Sequence, residues 1–254
     1  MGVRSLRNDN GYHTPVYFLA LLLAADVSIT AGPPFVTDDP EPVGYRHWEI
    51  YFASQLSNEN KAIFGSAPSV EANYGLLPEV QISVMAQLSV NAVVPDNLDY
   101  GPGDLTYGVK YRFLKESVIW PQSSIYPAVV LPTGDSWKGL GVGKAQIFLP
   151  FWLQKSFGPW TTYGGGGYQA SIEQPSENFW LFGWEGQRDL SNALTLGAEL
   201  FAVTEQKGYS GTEIGFNVGA IVNLSPLRHI LASAGRDIAG LNQCTGYLCY
   251  QLTL

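Results

Sequence analysis

The chain has 254 residues, a formal net charge of −8, only 14% charged residues and 13% aromatic ones. The length allows one large β domain or two small ones, and the charge balance argues against a nucleic-acid partner, which needs clustered Lys and Arg. The low charge is about half the usual share for a soluble domain. A mean hydropathy near zero looks soluble, but alternating apolar and polar residues cancel in any window average.

Arg4 and Arg7 precede the apolar run Pro15 to Ala25, PVYFLALLLAA. The run is shorter than the roughly 20 apolar residues a spanning helix needs. It has the form of a secretory signal behind a basic start, with cleavage expected after Ala25 or Ala31; an uncleaved anchor is the alternative. Residues 1–31 are thus read as a signal peptide and the chain as exported. Gly32 to Gly44, GPPFVTDDPEPVG, is a stiff proline-rich arm. Its Asp38, Asp39 and Glu41 match no calcium-loop spacing, so no metal is expected there.

From residue 45 to 254 strands follow one another. Trp48, Ile50 and Phe52 alternate with Glu49, Tyr51 and Ala53, and Ser69 to Gly75 comes next. Val80 to Asn91 is the clearest element: Val80, Ile82, Val84, Ala86, Leu88 and Val90 are apolar, and the residues between them are polar except Met85. Strand side chains alternate between faces, so this is one two-faced strand. At about 3.3 Å per residue it reaches roughly 36–40 Å, longer than a typical strand. Leu105 to Phe113 sets an aromatic face against Asp104, Thr106, Lys110 and Arg112. Ser124 to Leu131, Ala145 to Lys155 (Ile147, Leu149, Phe151 and Leu153 on one side) and glycine-rich Trp160 to Ala170 follow. Phe179 to Arg188 puts Trp180, Phe182 and Trp184 on one face; Leu194 to Ala202, Ile214 to Val222, His229 to Asp237 and Thr245 to Leu254 complete the series. That makes about twelve strands, an even number as in bacterial outer-membrane barrels.

The connections alternate in length. Residues 76–79, 156–159, 189–192 and 224–228 are tight turns, whereas Asn58 to Gly65, Pro95 to Gly103, Thr133 to Gly143, Ser171 to Glu177, Thr204 to Gly211 and Ile238 to Gln243 read as longer loops. Only Leu114 to Gln122 breaks the rule. Short turns at one end and longer loops at the other describe a transmembrane up-and-down barrel and not a Greek-key sandwich. The last strand runs to Leu254 with Leu248, Tyr250 and Leu252 on one face, a pattern like the C-terminal signal read by the outer-membrane assembly machinery. Cys244 and Cys249 are about 17 Å apart if extended and on opposite faces, so they bridge only if a tight turn separates them.

Several strings make the chain resemble a family. These are Gly32-Pro33-Pro34-Phe35 with Thr37-Asp38-Asp39-Pro40, Tyr45 to Glu49, Leu131 to Asp135, Trp152 to Gly158, Trp160 to Tyr168 and Ser233 to Asp237. With them nearly all of the mature chain resembles the β-barrel porin family associated with the meta-pathway of phenol degradation. The resemblance implies an outer-membrane barrel for uptake of small aromatic or other organic molecules, and it brings no catalytic or binding residues with it.

The fold expectation is an all-β, antiparallel transmembrane barrel whose apolar faces meet lipid. Gln81, Ser83, Gln87, Asp104, Lys110, Arg112, Glu185, Glu199, Glu213 and Asn217 are expected to line the pore. Their mixed charges point to weak ion selectivity. The tryptophans, Trp152 included, are expected in interfacial girdles. The glycine run 164–167 marks a bend or a close approach, where the arm 32–44 would tuck into the lumen as a plug. The partners implied are outer-membrane lipid, the assembly machinery and a small-molecule solute; no cofactor is implied. The alternatives are a structural or surface-interaction barrel and a membrane-embedded hydrolase. His229, Ser233 and Asp237 share one strand face, but successive members are four residues, about 13 Å, apart along it, too far for a triad of their own.

Overall fold

A computed structural model describes residues 33–59, 61–93, 97–173, 175–204 and 211–254; the signal run and both cleavage positions lie outside them. Its strands are β1 (Trp48–Glu59), β2 (Ala62–Leu77), β3 (Val80–Val93), β4 (Asn97–Pro102), β5 (Leu105–Leu114), β6 (Gln122–Ile125) and β7 (Ala128–Leu131). They continue as β8 (Gln146–Phe157), β9 (Trp160–Ser171), β10 (Phe179–Ser191), β11 (Leu194–Val203), β12 (Glu213–Ser225), β13 (Arg228–Ala239) and β14 (Cys244–Thr253). All strands pair antiparallel in one sheet, and β14 returns to β1 and closes the ring. The segment β4 pairs with Leu88–Val93 of β3 and β5 with Val80–Met85, so the two form one wall strand broken at Gly103–Asp104. Likewise β6 and β7 lie end to end between β5 and β8, broken at Tyr126–Pro127. The ring therefore has 12 wall strands. Among the described residues closure leaves no unpaired sheet edge, which is what allows strands to cross hydrocarbon.

The alternation decides which residues face out. Phe52, Ile82, Val84, Tyr107, Val109, Tyr111, Phe151, Phe182, Leu200, Val218 and Leu248 are all exposed on the outer surface. A water-soluble protein rarely displays so continuous an apolar surface; here it is the belt that meets lipid. Val218 sits midway along β12 and is 54% exposed. Replacing it with Arg is expected to destabilise the barrel by about 2–4 kcal/mol in lipid vesicles, because the charge would enter hydrocarbon. Val218→Ile, which keeps the outer face apolar, is expected to leave the urea unfolding midpoint close to wild type.

Inside, the two sides of the lumen differ. Tyr126, Ala128, Phe148, Trp152, Phe179, Leu181 and Val203 pack into an apolar cluster. Trp152, expected in a girdle, is 0% exposed and belongs to this cluster. The reason is parity: Phe151 and Leu153 flank it, and Phe151 faces out. Trp48, Trp160, Trp180 and Trp184 are exposed at strand positions.

Two loop expectations also fail. Residues Asn58 to Gly65 are almost all strand, because β1 and β2 pair as far as Glu59 with Ala62. Within Pro95 to Gly103, β4 completes the ladder with β3 and turns Leu98 and Tyr100 outward. The loop of residues 132–145 does exist, and it folds inward: Gly134 and Val142 N–H groups donate to the Asp104 carboxylate at 2.8 and 2.7 Å, and Leu140 is buried. Cys244 is exposed, Cys249 is buried, and both are free thiols.

Candidate functional site: the lumen and its arm

The prolines of the arm remove N–H donors and fix an extended backbone. Such a segment cannot zip into the wall by ladder bonds; it has one parallel bridge to the wall, Tyr45 with Gly75. It is held instead by inward-pointing side chains. Glu199 on β11 accepts from Val36 N–H at 2.7 Å, Thr37 N–H at 2.9 Å and the Thr37 hydroxyl at 2.8 Å. Asn217 on β12 steadies the same carboxylate at 2.6 Å. The Ser233 hydroxyl on β13 donates to the Pro34 carbonyl at 2.5 Å. On the facing wall, Lys110 of β5 reaches Asp38 at 3.1 Å and the Asp39 carbonyl at 2.8 Å, and its ammonium lies 5.1 Å from the Tyr126 ring centre. Arg112 pairs with Glu41 at 2.5 Å and Glu79 at 2.6 Å. Gln81 accepts from Val43 N–H at 2.9 Å. The arm thus enters at the end carrying the short turns and crosses the lumen from the β3–β5 wall to the β11–β13 wall.

Charge at the mouth is well satisfied. Glu79, in the turn between β2 and β3, is contacted by Arg112 and Lys115. Burial works to raise its carboxyl, but the hydrogen bonds and charges of those two side chains outweigh it and hold the group below the ordinary carboxylate range.

The arm does pack on glycines, though not the run 164–167. Side chains added at Gly164, Gly166 and Gly167 would strike Trp184, Phe182 and Phe148, so that run makes room for neighbouring rings. The glycines under the arm are Gly183, Gly197 and Gly219, the last two cross-strand partners. A Cβ at Gly197 or Gly219 would stand 2.9 Å from the Phe35 ring. Gly197→Val is therefore expected to push Phe35 off the wall and raise channel conductance in planar bilayers, while the folded barrel still shows its heat-dependent shift in SDS gels.

Nine of the ten residues expected in the pore sit on inward-facing strand positions and Asp104 sits in the break between β4 and β5, but they do not form one site. Gln81, Ser83, Lys110 and Arg112 gather around the arm at the turn end, with Ser83 accepting from the Gln81 amide at 3.0 Å. Glu199 and Asn217 hold the arm from the opposite wall, and Glu185, 0% exposed, is the cross-strand neighbour of Glu199. Asp104 anchors the loop 132–145, and Gln87 lies against Gly103 beneath it. Glu213, at the loop end, shares a hydrogen bond with Asp237. The charges are mixed as expected, yet they are sorted: both basic members are occupied by acids of the arm and the turn.

The triad-like set does not assemble. His229 bonds Asn223 at 2.7 Å, Ser233 bonds the arm, and Asp237 accepts from Gln243 N–H at 2.8 Å. Glu185 and Glu199 are adjacent, as their parity allows, but Glu199 is committed to the arm.

Four further inner-wall residues belong to this end of the lumen. Glu49 faces Asn73 across β1 and β2, and Tyr51 faces Glu71. With the arm carboxylates and Lys110 they line a cavity of about 60 Å³. The alternation of β1 already placed Glu49 and Tyr51 on the inner face; what it lacked was the arm that closes a chamber over them.

The fold matches solved outer-membrane barrels. An outer membrane channel from Pseudomonas putida F1 aligns with TM-score 0.64 and 16% identity, over 84% of this chain and 97% of that one. The KdgM porin in complex with disordered oligogalacturonate aligns with TM-score 0.58 and 8% identity, over 80% and 98%. The NanC porin aligns with TM-score 0.55 and 6% identity, over 81% and 100%. No known protein family matches the chain by sequence profile, and no curated protein matches it by sequence.

Proposed function

We propose that this chain is a bacterial outer-membrane channel for small organic solutes and that the arm, residues 33–47, is its plug. One observation carries the reading: a closed ring encloses a lumen, and the segment crossing that lumen is held by side chains of opposite walls instead of by strand pairing. For the segment to leave, only these side-chain bonds have to break, and every ladder of the ring stays whole. The likeness to channel and porin barrels supports the same reading. On this reading the short turns lie in the periplasm and the longer loops outside.

The aromatic cluster above the arm, with Tyr126, Phe148, Trp152 and Phe179, supports solutes with apolar bodies. That agrees with the family resemblance and its association with aromatic compounds. The test is solute flux into vesicles carrying the refolded protein, comparing small aromatic acids, amines and sugars. Flux above that of empty vesicles is expected. A protein that folds into the membrane and passes nothing, with or without the arm, would favour the structural barrel.

A further inference from the structure

The chamber beside the arm has a chemical complement that can be deduced group by group. Its wall carries five carboxylates, Asp38, Asp39, Glu41, Glu49 and Glu71, and one cation, Lys110. Lys110 is taken up by Asp38 and the Asp39 backbone. Glu41 has Arg112. Among the described residues, Glu49 receives only the neutral Tyr51 hydroxyl at 2.9 Å, and Glu71 only the Asn73 amide. Two carboxylates are therefore left with neutral donors and no paired cation. An independent observation adds a third acceptor: Asn73 is 4% exposed, lines the cavity, and its carbonyl oxygen Oδ1 has no hydrogen-bond partner. Glu49 and Asn73 are cross-strand neighbours, and Glu71 lies two residues before Asn73 on the same face of β2. The three acceptors thus lie within one patch of two strands.

A patch with acceptors and no spare donor selects a cation that brings its own N–H groups. About 60 Å³ is roughly the room of two water molecules, enough for an ammonium head and a short carbon stub. The side chains of Asp39 and Glu41 are 40% and 55% exposed, which leaves an approach from the turn end. We propose that this chamber binds the primary ammonium group of a small organic amine, held by Glu49, Glu71 and Asn73 Oδ1. The inference rests on the channel reading and names a solute class for it; the apolar cluster that begins at Tyr126 would take the body of such a solute.

Calorimetric titration of the refolded full chain with ethylammonium, potassium and tetramethylammonium chlorides at equal ionic strength tests it. Ethylammonium is expected to bind saturably and at least about ten-fold more tightly than tetramethylammonium, which carries charge but no N–H. Potassium is expected to be the weaker ligand as well. The double variant Glu49→Gln, Glu71→Gln is expected to lose ethylammonium binding, while Asp135→Asn, in the outer loop, keeps it. No saturable binding by the folded wild type, or equal binding of all three cations, overturns the proposal without any variant having to fold. Unchanged binding in the folded double variant overturns it too. Flux of neutral solutes without ammonium binding sinks this site and leaves the channel standing; ammonium binding without any flux supports the site and sinks the channel.

Discussion

Deleting residues 33–44 is expected to raise single-channel conductance several-fold over the intact protein. The arm spans the lumen between Lys110 on one wall and Glu199 and Ser233 on the other, so its removal clears the cross-section at that height. The ring itself loses no strand pairing, because β1 starts at Trp48 and its ladder with β14 is untouched. The gain has a ceiling. The loop 132–145 remains tied to Asp104 at the other end, and the cluster around Trp152 still fills one side. Planar-bilayer recordings of both proteins check this, with SDS-gel mobility before and after boiling as the folding control. Equal conductance from two folded barrels would mean that the arm is not the barrier.

Lys110→Met is expected to cost about 3–5 kcal/mol, since it removes the one cation from a buried ion pair and leaves Asp38 uncompensated. Lys110 and Asp38 side chains are only 6% and 3% exposed, so solvent screens the pair little. Adding Asp38→Asn to Lys110→Met removes the orphaned charge, and most of the lost stability is expected to return. The non-additivity of the two changes in a double-mutant cycle measures the coupling. Urea unfolding of the barrel in vesicles, followed by tryptophan fluorescence, gives the free energies. The single variant is also expected to conduct more than wild type, because the same ammonium fastens Asp39 through its carbonyl. A stable single variant with unchanged conductance would show that Lys110 does not hold the arm.

Much of this architecture is written in the alternation of the chain. Val80 to Asn91 sorts into a lipid face and an inner face because one step along a strand turns a side chain over. The same parity puts Lys110, Glu185, Glu199 and Asn217 inside. It cannot say what they meet there. Lys110 and Asp38 are separated by 72 residues, and Thr37 and Glu199 by 162, and no local pattern encodes such contacts. For that reason the sequence points the arm to the conspicuous Gly164 to Gly167 run. The glycines that receive it are inconspicuous ones at inner positions, Gly183, Gly197 and Gly219. Trp152 is the opposite case: its parity is legible in the sequence and outweighs the habit of tryptophan for interfaces. Composition misleads at Asn58 to Gly65, where Asn58 and Glu59 extend β1 and Ala62 to Gly65 extend β2 into the stretch that reads as a loop. The break at Tyr126–Pro127 splits a wall strand without opening the ring, because Tyr126 N–H bonds the Pro150 carbonyl and the Pro127 carbonyl accepts from Val109 N–H.

The position of the arm in the native barrel is the claim on which the rest depends, and a disulfide tests it most directly. A Cβ built at Gly183 lies 3.2 Å from Thr37 Cβ, close to the separation of about 3.5–4.5 Å across a disulfide. The variant Thr37→Cys, Gly183→Cys, made with Cys244→Ser and Cys249→Ala so that no other thiol competes, should be refolded and its free thiols counted before and after mild oxidation. The account predicts near-complete loss of free thiols in the folded barrel, with conductance held low until a reductant is added. Two free thiols persisting in a correctly folded barrel would contradict it.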